Sequence, residues 1–422
     1  MDDNLLKLLR DLAFDLEDPD PERCPLSEIR DLLGDKAVPN LVEAIIHDDP
    51  VIRRTAALAL GQLRSPFDDR LVLEAAVPHL EEMLETDPDP LVRLNAAEAI
   101  WFITGSKTMV PTLIEVLNHE DVEVRRFAVT MLGLVEAEVQ DVLQPLTAVL
   151  SDSDPFVRAT AAEVLALCGS AAAEALPHME RLLGEDEYTR VVAIHSILSI
   201  DPSRTEGLVP VLTRALCSPC REVRQRAAQV LGEIPTAGAL AVPALVQALA
   251  DEEEAVRLVA LNTLQNLGPA TAPAIPALIG ILTGNEDILA RGMAADPLGA
   301  IGPAAGEAVP RLLLMSLQEP GDDTLTTYFR LKVARALWSI SEEPKHLLAT
   351  GLETIRSPDW WLRGMAAAML GGLGAAGRAV VPQLRKLLKD EHRVVRDQAA
   401  RSLGRTDPAA WLSILLETPS TS

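Results

Sequence analysis

An arginine recurs along this chain at Arg53, Arg93, Arg125, Arg158, Arg190, Arg224, Arg257, Arg291, Arg330, Arg363 and Arg396, at steps of 32 to 40 residues. A period of that size constrains the fold more than any other feature. Each unit is too short to enclose a core, so it must bury its apolar face against its neighbours. The text around the arginine repeats too, as in "DPVIRRTAALALG" from Asp49, "DPFVRATAAEVLALCG" from Asp154 and "DEEEAVRLVALNTLQNLG" from Asp251. Ahead of the arginine a proline opens an apolar run, as in "VPTLIEVL" from Val110 and "VPQLRKLL" from Val381. Proline costs nothing in the first helical turn, where its missing N–H has no partner to lose. Each unit therefore reads as helix A, an acidic turn, helix B and a glycine-containing turn.

At 100° per residue along helix B, the residue before the arginine, the following Ala pair and the next Leu share one apolar stripe. The position five after the arginine points away from that stripe. Hydrophobic residues make up 48 % of the chain but aromatics only 3 %, so the core is built from Leu, Ala and Val, which suits closely packed helices better than sheets. The expectation is an all-α, right-handed α-solenoid of about eleven helix pairs over residues 36–405. Residues 1–35 would form an N-terminal helical cap, with Leu5, Leu8, Leu9, Leu12 and Leu16 on one face. Residues 406–422, containing "DPAAWLSILLE", would supply a C-terminal cap helix and a loose tail.

The eleven registered copies resemble HEAT repeats, in particular the short bacterial type seen in phycobiliprotein lyases. That resemblance implies a ladder between repeats, joining the turn acid to the arginine of helix B. The acid column four before the arginine reads Asp49, Asp89, Asp121, Asp154, Asp186, Glu253, Asp287 and Asp359, interrupted by Cys220, Thr326 and His392. An acid there caps free N–H groups and meets the positive end of the helix dipole. The ladder is expected to weaken at repeats 6, 9 and 11. Two acidic insertions, from Arg64 and from Gln318, account for the long steps. Pro297, inside helix B of repeat 8, is expected to kink that helix or restart it with Asp296 as cap.

Several functions are disfavoured. The formal net charge is −24, which opposes nucleic acid and anionic lipid. The charge is uneven: residues 1–90 carry 22 acids and 9 bases, whereas 356–405 carry 4 acids and 10 bases. The first residues are acidic and lack the basic start of a signal peptide, and the apolar runs are short. With four cysteines, too few and too clustered for a disulfide framework, the expected compartment is the cytoplasm. Cys217 and Cys220 form a single CxxC at a helix start, without the further ligands of a structural zinc site. The histidines lack the paired His-Glu motifs of a di-iron hydroxylase, since His119-Glu120 falls in a turn. Glu98 and Glu163 lie two repeats apart, at roughly 20 Å by helix stacking, too far for paired acid–base work. No phosphate loop, nucleophile elbow or dinucleotide fingerprint is present. No catalytic residue, metal or cofactor is assigned.

What remains is recognition. The resemblance places helix B on the concave face, with Leu58, Glu98, Thr130, Glu163, His195, Gln229, Asn262, Asp296, Arg335, Ala368 and Arg401 outermost. In repeats 2–5 the apolar Leu94, Phe102, Phe127, Leu134, Leu167, Val191 and Val192 are expected to be exposed on the same face, ringed by Glu98, Arg126 and Glu163. Such a patch marks an interface. Trp101 and Trp338 replace the small residue eight after the arginine and would fill a widened gap, while Trp360-Trp361 offers a second contact. The expected protein is a monomeric, non-enzymatic scaffold that binds a protein or peptide through Leu94, Glu98, Phe102, Arg126, Phe127, Leu134, Glu163, Leu167 and His195. The alternative is a lyase-type or chaperone-like component that holds a tetrapyrrole with a partner subunit.

Overall fold

A computed structural model describes residues 3–17, 37–62, 73–205, 207–234, 237–284, 288–318, 323–409 and 411–412. All regular structure among them is helical, and the chain divides into two compact units, Met1–Arg204 and Thr205–Ser422. In the first unit, α1 (Asp3–Glu17) is followed by the pairs α2 (Ala37–Ala44) and α3 (Pro50–Gln62), α4 (Val77–Thr86) and α5 (Pro90–Thr104), and α6 (Val110–Glu115) and α7 (Val122–Leu134). The pairs α8 (Val139–Val149) and α9 (Pro155–Leu167), then α10 (Leu176–Leu182) and α11 (Glu187–Ile200), complete it.

The second unit holds six pairs in the same order. They are α12 (Leu208–Ala215) with α13 (Arg221–Gly232), α14 (Gly238–Ala248) with α15 (Glu254–Leu267), and α16 (Ile275–Thr283) with α17 (Ile288–Ile301). Then come α18 (Val309–Gln318) with α19 (Thr324–Ser341), α20 (Lys345–Thr354) with α21 (Trp360–Gly371), and α22 (Val381–Leu387) with α23 (Arg393–Thr406). Every indexed arginine lies on the second helix of a pair, so the eleven repeats of the all-α solenoid are those read from the sequence. The long apolar stretch over residues 254–283 is not one helix but α15, a 3-10 turn entered at Gly268 (φ +58°) and α16.

Leu5, Leu9 and Leu12 of α1 are buried in the core of the first unit. Leu16 and the rest of the N-terminal segment to Lys36 lie outside the described side chains. The acidic insertions fall largely outside the described residues as well. At the other end Trp411 packs against the core of the second unit.

The turn acid four before the arginine does cap its own helix: the carboxylates of Asp89, Asp121 and Asp154 accept from Leu91, Glu123 and Val157 N–H at 2.9, 2.9 and 3.0 Å. It is not, however, the main ladder acid. Arg53 clamps Asp87 at 2.7 and 3.0 Å, Arg125 clamps Asp152 at 2.8 and 2.9 Å, Arg224 clamps Asp251 at 2.7 and 2.8 Å, and Arg363 clamps Asp390 at 2.8 and 2.9 Å. Each of these aspartates stands six before the arginine of the next repeat. It also accepts the N–H of the residue two further on, as Asp152 does from Asp154 at 2.8 Å. The other guanidinium nitrogen binds carbonyls of the arginine's own turn, for Arg125 those of His119 and Glu120. The ladder is therefore intact at Arg224 and into repeat 11, against the expectation drawn from Cys220 and His392. The column four before the arginine chiefly caps, although Asp154 of that column also takes the fork of Arg126 from the preceding repeat.

Repeats also meet through a small residue eight after the arginine. A Cβ on Gly61 would stand 2.9 Å from Ala99 Cα, one on Gly133 2.9 Å from Val164, and one on Gly371 2.4 Å from Ser402 Oγ. These glycines fall in repeats 1, 3 and 10, which also carry a clamp, so at these three seams clamp and close approach occur together. In repeats 2 and 9 the position holds Trp101 and Trp338, both half-buried against the core.

Helix α17 runs unbroken through Pro297. Asp296 is not a cap: it is 6 % exposed and receives Lys332 Nζ at 2.5 Å and Arg335 at 2.9 Å from α19. Burying a carboxylate requires such partners. That correction removes Asp296 from the outward column.

Candidate functional site

The apolar stripe of helix B, read alone, explains its packing on helix A. Stacking one helix B on the next buries both flanks of that stripe as well. Leu94 is fully buried, and so are Val191 and Val192, whereas the equivalent positions in repeats 1 and 3, Arg54, Arg126 and Phe127, border open space. Leu58, placed outermost in the sequence, is 5 % exposed. The exposed strip is narrower and lies nearer the position nine after the arginine, where Leu134 and Leu167 are 40 % and 71 % exposed.

Between the second helices of repeats 1–4 in the first unit this strip widens into a groove of about 890 Å³. All its lining residues come from α3, α5, α7 and α9 or the turn before α7. Leu58, Leu91, Phe127, Met131 and Leu134 form an apolar floor, and Phe156, 46 % exposed, stands at one wall. Arg126 is fixed there by Asp154 at 3.1 and 2.6 Å and by Glu123 at 3.0 Å, with its guanidinium 5.6 Å from the Phe156 ring centre. The cation–π contact restrains that ring at the edge of the groove.

The groove spans the seam between repeats 2 and 3, where two devices that draw repeats together are missing. Trp101 occupies the glycine position on α5, and a ring of that size holds adjacent helices apart. His119 occupies the clamp position, and its Nδ1 accepts the Asp121 N–H at 3.1 Å, keeping the turn but offering no carboxylate. Arg93 Nε is accordingly buried with no hydrogen-bond partner among the described residues.

Two charged groups in the groove lack internal partners among the described residues. Burial pushes the Glu98 carboxyl above the usual carboxylate range, and no cation offsets it. Arg54, one residue after a clamped arginine, has a buried Nε without an acceptor. A desolvated donor and a desolvated carboxylate flanking an apolar floor are chemically suited to a ligand that presents a carbonyl, an apolar group and a cation or N–H.

Of the residues expected to recognise a partner, Glu98, Arg126, Phe127 and Leu134 line this groove. Phe102 is half-buried and packs edge-on against Trp101 at 5.0 Å, away from the lining. Glu163 and His195 are half-buried on α9 and α11, outside it, and Leu167 is exposed beyond it. Leu94, as above, is core. The sequence reading missed Arg54, Leu91, Asn95 and Phe156. Phe156 sits two before its arginine, an outward position that repeats as Leu91 and Glu123, and that column was the available signal. In the second unit Cys217 and Cys220 are both exposed, and Cys220 Sγ donates to Glu222 at 3.0 Å.

Compared with protein families, the sequence matches HEAT repeats over residues 5–101, 110–198, 242–338 and 348–420. No individual curated protein matches it. Among solved structures, importin beta in an ammonium sulfate condition is 14 % identical over 98 % of this chain and 63 % of that one, with a TM-score of 0.54. The Kap95:Nup1 complex is 15 % identical over 99 % and 65 %, with a TM-score of 0.52. The chain thus spans somewhat under two-thirds of the length of these structures, and at such identities the likeness is one of fold.

Proposed function

Because the chain belongs to the HEAT-repeat family, we propose that it is a non-enzymatic scaffold that takes a segment of a partner protein into the groove over α3, α5, α7 and α9. The observation that carries this reading is the groove itself. It combines an apolar floor, an exposed aromatic wall and two charged groups without partners among the described residues. Contiguous apolar surface with a few convergent polar groups is what recognition of a peptide segment requires. The Kap95:Nup1 complex is an instance of a similar fold associated with another protein. The reading places the scaffold in the cytoplasm.

A photo-crosslinking residue at position 134 tests the proposal in the native cell. It should capture one protein, through one contiguous segment, and capture should fall sharply when Phe127→Ser and Phe156→Ser are added. The same crosslinker at position 167, exposed but outside the groove, should not capture that segment. Equal capture from both positions would refute the assignment. A groove of this volume also suits a small ligand, the tetrapyrrole of the phycobiliprotein-lyase resemblance. Visible absorbance in protein co-expressed with bilin, lost on Phe127→Ser, would replace the peptide reading.

A further inference from the structure

The second unit carries a surface of its own at the starts of α19, α21 and α23. Tyr328 of α19 stacks on Trp361 of α21 at 5.4 Å and 27°, and Trp360 of α21 stacks on His392 at the head of α23 at 3.9 Å and 12°. Rings from three successive repeats thereby stand in a row. Trp360 and Trp361 remain 41 % and 43 % exposed, and Leu325 and Val394, near the two ends of the row in sequence, are 52 % and 45 % exposed. Elsewhere in the chain aromatic residues are scarce, so the row concentrates two of its five tryptophans and one of its two tyrosines.

The polar character of the row narrows what it can hold. The two indole N–H groups and the Tyr328 hydroxyl make no hydrogen bond among the described residues. Carboxylates nearby are engaged: Asp359 accepts from the Trp361 backbone N–H at 2.9 Å, and Asp390 is held in the Arg363 clamp. Lys332 lies over the Tyr328 ring at 5.1 Å. The segment 356–405 carries ten bases against four acids in a chain of net charge −24. The surface thus offers ring faces, hydrogen-bond donors and positive charge.

A polyproline-type segment is complementary to such a surface. Its prolines present flat apolar rings and carry no N–H, its carbonyls point outward unbonded, and its extended form is largely set before binding. We propose that the row from Tyr328 through Trp360 and Trp361 to His392 is a docking surface for a proline-containing segment flanked by acidic residues. Prolines pack on the exposed ring edges and faces, the indole N–H groups donate to backbone carbonyls, and exposed cations such as Arg356 and Arg393 meet the flanking acids. This surface does not rest on the groove of the first unit, and either can fail alone.

The test uses the full chain and tryptophan fluorescence, titrated with a synthetic polyproline peptide flanked by aspartates. The expected result is saturable binding, weakened about tenfold or more by Trp361→Ala and also weakened when lysines replace the flanking aspartates. Trp361→Phe keeps the stacked ring and the fold but removes the N–H donor, and should lose part of the affinity. Leu134→Glu, in the other groove, should change nothing. Equal binding of a glycine–serine peptide with the same aspartates would overturn the proposal, as would binding unaffected by Trp360→Ala with Trp361→Ala. Tighter binding of an oligothymidylate would overturn it in favour of a single-strand nucleic-acid surface, since stacked rings and cations serve that ligand too.

Discussion

Replacing Gly371 with alanine would place a methyl carbon 2.4 Å from Ser402 Oγ, 2.5 Å from its Cβ and 2.7 Å from its Cα. Carbon contacts are favourable at roughly 3.5–4 Å, so α21 and α23 would have to part by about 1 Å. That movement strains two further links between the helices, the Arg363–Asp390 clamp at 2.8 and 2.9 Å and the Ser402 Oγ–Ala367 carbonyl bond at 2.8 Å. Overpacking of this kind costs about 1–3 kcal/mol, and a weakened hydrogen bond adds about 1 kcal/mol. Alanine would return at most about 1 kcal/mol of helix propensity, and less at the last residue of the helix. The net expectation is a loss of about 2 kcal/mol. Urea unfolding followed by tryptophan fluorescence reads it well, because four of the five tryptophans lie in the second unit. Ser402→Gly added to Gly371→Ala should recover much of the loss, since the obstructing side chain is gone. A neutral or stabilising Gly371→Ala, as propensity alone would give, refutes the reasoning, as does a double variant no better than the single.

Three further outcomes follow from the clamps and the groove. His119→Asp supplies the missing carboxylate at the seam of repeats 2 and 3 and should pair with Arg93, raising stability by about 1 kcal/mol; by drawing the repeats together it should also lower crosslinking from position 134. The Arg363 and Arg224 forks hold the Asp390 and Asp251 carboxyls below their usual range, against the opposing effect of burial. Their stabilisation is therefore complete above the unfolded carboxylate range and lost as pH falls through the depressed folded values. Thermal midpoints should be level from about pH 7 to 5 and drop below about pH 4, and Asp251→Asn with Asp390→Asn should flatten that drop. Glu98 has the opposite sign: burial raises its folded value, so its ionised form opposes folding at neutral pH and ceases to do so in acid. Glu98→Gln should stabilise the first unit by up to about 1 kcal/mol at pH 7, with no gain at pH 3, as read by thermal unfolding.

The repeat architecture was legible because it is written many times over. Eleven arginines in register, a proline before helix A and an aspartate capping helix B are local signals, and each copy supports the others. Exposure was harder to read, for a physical reason that Leu94 illustrates. A helical wheel reports how helix B packs on its own helix A, but the sequence around one arginine holds no statement of how closely the next repeat approaches. The clamp acid shows the same limit, since the column four before the arginine and the column six before it are both acidic in places, and only the reach of the Arg125 fork to Asp152 tells them apart.

By itself, then, the sequence determined the number of repeats and the alternation of helices, since these depend on residues a few positions apart. The tertiary structure alone decided which faces stay open. Glycine against alanine at Gly61 and Ala99 closes one seam, whereas Trp101 and His119 hold the next one apart, and a groove lies where they do. That outcome depends on residues more than thirty positions distant meeting across helices, and on whether a side chain or its absence fills the space between them.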